Sequence, residues 1–391
     1  MTSDFEAFLG RGLVEIEQRG LLRKLQEISP AQAPRVSCQG REVHNFSSND
    51  YLGLATHPTV QAASAEACRS AGAGSGASRL ISGTLPEHSA LEEALAAFKR
   101  TPSALTFSSG YAAALGTIPA LAGKDDAIIA DKLCHACLID GARLSGATLR
   151  VFPHNDVGSL ETKLRAVRGR QPDGRILILL ESVYSMDGDL APLEEIIDLK
   201  ERYGAWLFLD EAHGVGVLGE NGRGLADSLG VADRIEVQMG TLGKALGSSG
   251  AYICGSKRLR DFLINCARSF IFSTAPPPAA AAAARASLGI LESDEGRDRI
   301  QRLAANTAYL CEGLGIPGSP TPIVPLVLGP EEAAVSASAA LGRAGFLVPA
   351  IRFPTVARGA ARLRFTLSAT HSRKAIEELA RVGVDLFPPA R

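Results

Sequence analysis

The chain has no excess of either charge. Its 41 lysines and arginines stand against 42 aspartates and glutamates, for a formal net charge of −1. That balance does not build the positive field of a nucleic-acid binder, so no nucleic-acid partner is expected. Aromatic residues are only 5% of the chain, with a single tryptophan, and no aromatic–basic repeat is present. Long apolar runs are missing too. The alanine-rich stretch around residues 275–290 is interrupted by Pro276, Pro277, Pro278 and Arg285, well short of the ~18–20 apolar residues of a membrane helix. The amino terminus lacks the apolar core of a signal peptide. The seven cysteines are dispersed, which suits reduced thiols in a cytoplasmic protein better than a disulfide framework. Cys134 and Cys137 form a C-x-x-C with His135 between them, but no second pair follows at zinc-site spacing, and no metal is expected.

What is present is a large apolar fraction, 46% of 391 residues, enough for a substantial core and too long for one average domain. Residues 3–27 read as a polar amphipathic helix, ended by PAQAP. From residue 89 onward, helix-like and strand-like segments alternate. HSALEEALAAFKR and YAAALGTIPALAG suit helices. ALTFSSG, DAIIAD, ATLRVF, GRILILLES, AWLFLD and RIEVQMG suit strands. These runs are short and almost continuously apolar, as in a parallel sheet covered on both faces. The expected fold class is α/β: an arm over residues 1–45, a large domain with a mainly parallel sheet over 46–289, and a smaller α+β domain over 290–391.

In open parallel sheets, ligands bind beyond the carboxyl ends of the strands. AWLFLDEAHGVG places Asp210 at such an end, with His213 three residues later. A carboxylate there can pair with the protonated ring nitrogen of pyridoxal phosphate, and His213 can reach its phenolic oxygen; the same residues equally suit a cap and a polar loop. MGTLGKALGSSG places Lys244 after another strand, between Gly240, Gly243, Gly247 and Gly250. Such narrow surroundings leave room for a ring beside a lysine that forms a Schiff base, and Thr241 offers a hydroxyl to a phosphate. A nucleotide phosphate loop is a poor match, since Ala245 stands where that motif needs Ser or Thr. In FSSGYAAA, Ser109, Gly110 and Tyr111 lie at a strand-to-helix turn whose N–H groups can hold a phosphate. His135 follows a further strand end and suits either ring stacking or a core position. Ser185, in ESVYSMDGD, can donate to a phenolate. An amino-acid substrate also brings a carboxylate, for which Arg352, Arg364 and Asn49 are candidates; Arg23 is a further substrate-binding candidate.

Together, NFSSNDYLGL, GSGASRLISGT with EHSALE, FSSGYAA, DKLCHACLIDG, ESVYSMDGD, LDEAHGVGVLGENGRG, GTLGKALG and LRFTLSATH resemble the α-oxoamine synthase family of fold-type I pyridoxal-phosphate enzymes, in order and over most of the chain. The resemblance implies an aminotransferase-like fold and a homodimer with shared active sites. It implies Lys244 as the covalent anchor of pyridoxal 5′-phosphate, Asp210 as partner of the ring nitrogen and His135 as the stacking residue. His213 and Ser185 match residues at the phenolic oxygen. Ser109, Gly110, Tyr111 and Thr241 match cofactor and phosphate contacts, and Ser273 with Thr274 match a segment reaching the other subunit's phosphate. Asn49, Arg352 and Arg364 match the substrate site. Members join glycine, alanine or serine to an acyl thioester with loss of carbon dioxide. PHNDVGSLE and AIRFPTVARGAARLRFTLSATH are most similar to members using L-alanine and a pimeloyl thioester of CoA or of an acyl-carrier protein, although Phe353 and Ala357 stand where prolines are common. A glycine acetyltransferase is the alternative enzyme, and an inactive scaffold of the same fold is the non-enzymatic one.

Overall fold

A computed structural model describes residues 2–23 and 25–387; positions 1, 24 and 388–391 lie outside it. Its centre is a seven-stranded sheet in the order 103–107, 251–255, 237–241, 206–210, 176–181, 127–131, 148–152. Strand 251–255 runs antiparallel to both neighbours, and the remaining pairs are parallel. All six strands expected from the apolar runs are present. The seventh, AYICG, is a correction: its five residues follow GSSG without the helical spacer that marked the others.

Alternation along the strands explains why their sequences are continuously apolar. Successive side chains point to opposite faces, and here each face has its own core. Ile128, Leu177, Leu179, Phe208 and Met239 pack with Ala114, Ile118 and Leu138 from helices 110–121 and 136–145. Ile129, Ile178, Leu180, Leu207 and Leu209 pack with Leu160, Leu164, Ile196 and Ile197 from helices 157–170 and 193–202. Along the inner strands neither face is left for water, so neither needs polar residues; the edge strand 148–152 is partly exposed.

The amino-terminal helix spans Thr2–Gln18, shorter than the expected 3–27. Gly20 adopts φ 67° just past its end, the left-handed conformation that terminates helices. The following segment contributes strands 28–29, 35–38 and 41–45 to a four-stranded sheet whose last member, 346–347, comes from far along the chain and pairs parallel to 41–45. Strands 323–329, 361–366 and 350–351 form a separate antiparallel sheet. Helix 278–291, the alanine-rich segment, is packed into a third core with Leu91, Leu95 and Leu310. Among the described residues, no helix is long and apolar enough to cross a membrane.

Candidate active site

Strands 103–107, 127–131, 176–181, 206–210 and 237–241 all end at one edge of the central sheet. The segments that follow carry Ser109, His135, Ser185, His213 and Lys244. Lys244 Nζ lies 2.9 Å from His213 Nε2, and His213 Nδ1 lies 2.6 Å from the hydroxyl of Tyr51. Burial, reinforced by the cations of Lys244 and Arg364, holds the His213 imidazole well below its usual pKa. A neutral ring must donate from one nitrogen and accept at the other, so His213 relays a hydrogen bond between the amine and the phenol. Tyr51 is itself pushed up to about 12, chiefly by burial.

Asp210 is 4% exposed and accepts one backbone bond, from Ala212 N at 2.8 Å. Glu181 sits directly across from it on the neighbouring strand, and both carboxyls are buried. Burial raises the pKa of each, and the Asp210 charge adds to the effect on Glu181. Lys244 is the cation that opposes those shifts. Its own pKa is lowered because the loss of solvent outweighs the attraction of the two carboxylates. An amine with lowered pKa supplies more of its neutral, nucleophilic form near neutral pH.

Arg364, on the central strand of the 361–366 sheet, is 5% exposed yet meets no carboxylate among the described residues. Its guanidinium donates to Ser185 O at 2.7 Å, to Thr366 Oγ1 at 3.0 Å and, more loosely, to Asn49 Oδ1 at 3.4 Å. A buried cation held only by neutral acceptors is well suited to an incoming anion. Asn49 and Lys244 line one cavity of about 410 Å³, together with Ser48 and Asp50.

His135 caps helix 136–145, its Nδ1 accepting Cys137 N at 3.2 Å, while its own backbone N–H donates to Glu181. Ser109 caps helix 110–121 by accepting Ala112 N at 3.1 Å. That leaves the N–H groups of Gly110 and Tyr111 at the positive end of the helix. Tyr111 donates its hydroxyl to Asp140, and Thr241 donates to Gly250 O at 3.2 Å. Arg23 and Arg352 face a different cavity, next to that of Lys244. Ser273 and Thr274 do not line the Lys244 cavity; Thr274 bridges to Ser78.

Several residues here escaped sequence reading. Tyr51 lies inside a motif that resembled the family, but its contact with His213 spans 162 positions. Glu181 was passed over as the last residue of an apolar strand. His154 joins Asp131 (Nδ1, 3.0 Å) to Asp189 (Nε2, 2.7 Å), tying the segment before His135 to the turn after Ser185. Two of the four glycines around Lys244 have a reason beyond room for a ring. A Cβ on Gly240 would lie 2.3 Å from the Tyr252 hydroxyl, and one on Gly247, where φ is +59°, would lie 2.3 Å from Ala55 N. Those two are required by protein packing against protein.

Comparison with known proteins places this arrangement in context. Residues 41–382 match the family model "Aminotransferase class I and II". The chain is 49% identical over 383 residues to the 8-amino-7-oxononanoate synthase of Geobacter sulfurreducens, covering 96% of this chain and 97% of that one. Among solved structures, it is similar to a lysine-to-alanine variant of serine palmitoyltransferase from S. paucimobilis with a bound PLP–myriocin aldimine, at TM-score 0.90 and 30% identity over 99% of this chain and 98% of that one. It is also similar to 8-amino-7-oxononanoate synthase from Francisella tularensis, at TM-score 0.73 and 30% identity over 88% and 98% of the two chains.

Proposed function

The chain belongs to the aminotransferase class I and II family and, within it, to the α-oxoamine synthases; from that premise we propose that it condenses L-alanine with a pimeloyl thioester, releasing carbon dioxide and the free thiol and giving 8-amino-7-oxononanoate. The observation that carries this reading is the hydrogen-bonded series Lys244–His213–Tyr51 beside buried Asp210, with the unpaired Arg364 guanidinium at the same sheet edge. The 49% identity to a named 8-amino-7-oxononanoate synthase supports the choice of substrates.

The residues fit pyridoxal 5′-phosphate. Asp210 is a buried carboxylate with a single backbone donor, and a pyridinium N–H satisfies such a group. The free N–H groups at Gly110 and Tyr111 suit a phosphate, with Thr241 as a further hydroxyl. The lowered pKa of Lys244 suits attachment to an aldehyde. When bound, the cofactor supplies an electron sink for the amino acid's α-carbon.

The chain's own residues account for the rest. Lys244 Nζ takes the α-proton of the amino acid and later returns a proton to the product. His213, neutral and fixed by Tyr51, orients that amine without competing for the proton. Arg364 and Asn49 receive the amino acid's carboxylate and align the bond that breaks when carbon dioxide leaves. His135, held by its capping bond and by Glu181, is the residue to stack on the cofactor ring, and Ser185 offers it a hydroxyl. Arg23 and Arg352 lie towards the acyl donor.

A homodimer belongs to the same proposal, with Ser273 and Thr274 serving the second copy's site. Its support is the exposed apolar surface: Phe5 and Phe8 on the first helix are 63% and 65% exposed, and Ile81 and Phe272 are 81% and 70% exposed. The test of function pairs L-alanine, glycine and L-serine separately with pimeloyl-, acetyl-, succinyl- and palmitoyl-CoA, with products identified by mass. Alanine with pimeloyl-CoA is expected to dominate kcat/KM. A preference for glycine with acetyl-CoA, or serine with palmitoyl-CoA, overturns the assignment while leaving the family intact.

A further inference from the structure

Successive side chains of a strand point to opposite faces, so Arg362 and Arg364 leave strand 361–366 on the same face, about 7 Å apart along it. Both reach one turn, the one that follows strand 176–181. Arg364 Nε donates to Ser185 O at 2.7 Å, while Arg362 donates to Met186 O at 3.2 Å and to Asp187 Oδ1 at 2.5 Å. The turn itself is closed by other bonds. Gly188 N donates to Tyr184 O at 2.8 Å, Tyr184 N to Asp189 O at 3.1 Å, and Thr321 Oγ1 to Gly188 O at 2.8 Å. Asp187 and Asp189 both lie just beyond Ser185 in this turn, and each is engaged by a separate group. His154 holds Asp189 at 2.7 Å, and Arg362 holds Asp187.

The consequence falls on Arg364. Its hydrogen-bond acceptors are all neutral, although Asp187 is the acid nearest in sequence to Ser185, one of those acceptors. A guanidinium takes a carboxylate in preference to a neutral acceptor, so an unclaimed Asp187 would neutralise the group that a substrate carboxylate needs. The Asp187 side chain is 32% exposed and that of Arg362 only 8%, so the acid has room to turn and the buried arginine fixes it. Resting on the reading of Arg364 as the receiver of the amino acid's carboxylate, we propose that Arg362 is a positioning residue for that carboxylate. By holding Asp187 it keeps the protein's own acid off Arg364 and leaves the Arg364 guanidinium open to the substrate. Arg362 acts through Asp187 and touches no reacting atom.

The test uses the cofactor-loaded enzyme and the variants R362Q, R362K and R362Q/D187N. Binding of L-alanine is titrated without thioester from the change in cofactor absorbance, and KM for each substrate is taken from turnover. In R362Q, Kd and KM for alanine are expected to rise about tenfold, as when one charged hydrogen bond is displaced, while KM for the thioester stays within about twofold. The freed Asp187 is partly in solvent, so R362Q leaves no charge fully buried and is expected to fold. R362Q/D187N lacks the competing charge and R362K keeps a cation beside Asp187, so both should return alanine binding to within about threefold of the unaltered protein. An arginine that serves packing alone gives no such rescue. A loss in R362Q that D187N does not reverse overturns the proposal, as do equal rises in both KM values or unchanged alanine binding in R362Q. Arg364→Met separates the proposal from the reading beneath it. If that change leaves alanine binding intact, Arg364 is not the receiver of the carboxylate; if it weakens binding while R362Q does not, only the part assigned to Arg362 falls. The same loss and rescue with glycine or L-serine in place of alanine leaves the proposal standing and changes only the choice of amino acid.

Discussion

Replacing His154 with glutamine should remove a pH-dependent part of the protein's stability. Burial opposes charge on this imidazole, but its hydrogen bonds to Asp131 and Asp189 outweigh that and raise its pKa to about 10 from an ordinary 6.5. At about 1.4 kcal/mol per pH unit, that rise sets a ceiling of about 5 kcal/mol on the stabilisation. Its side chain is 24% exposed and that of Asp189 is 40% exposed, so solvent screening reduces the expected loss to about 2–3 kcal/mol near pH 7. The sign follows from proton counting. The folded protein keeps a proton that the unfolded chain releases above pH 6.5, so the contribution is complete below that pH and is lost as pH rises through about 10. Urea unfolding of the unaltered protein and of His154→Gln at pH 6.5, 8 and 9.5 measures it. The gap between them should narrow as pH rises; a gap that stays constant would refute the ion-pair reasoning and leave only lost packing.

Arg364→Met should raise KM for alanine about 10–100-fold, the range expected when a buried charged hydrogen bond of about 1.5–3 kcal/mol is lost; unchanged alanine kinetics would remove Arg364 from the substrate site. Lys99→Met should destabilise the fold by about 3–5 kcal/mol, because Lys99 and Glu211 are 2% and 0% exposed and the glutamate would be left buried without its cation; equilibrium unfolding at pH 7 gives the value, and a change under 1 kcal/mol would contradict it. Gly240→Ala should cost about 1–3 kcal/mol by forcing a methyl group against Tyr252, and an equally stable variant would show that the Tyr252 ring yields.

The central sheet was legible because buried parallel strands leave a local signature, a short apolar run between helical segments. ILILLE and AIIAD could hardly be anything else once helices flanked them. AYICG has a helix after it but none before it, and went unread. The same rule picked out residues that the fold gathers at one sheet edge, since Asp210 closes a strand and His213 and Lys244 each come three residues after a strand end. Residues whose part depends on distant partners left no local trace. His154 meets its two acids only because strands 127–131 and 176–181 are neighbours in the sheet. The cavity that Arg23 and Arg352 face is lined in part by strand 346–347, which crosses to strand 41–45, a pairing over 300 positions that no sequence period announces.

The most direct test of the account is to reduce the purified protein with sodium borohydride, digest it and locate any pyridoxyl group by mass spectrometry. The account predicts a single modified peptide with the added mass on Lys244. Modification at another lysine, or none in a protein that still makes the aminoketone, would contradict it.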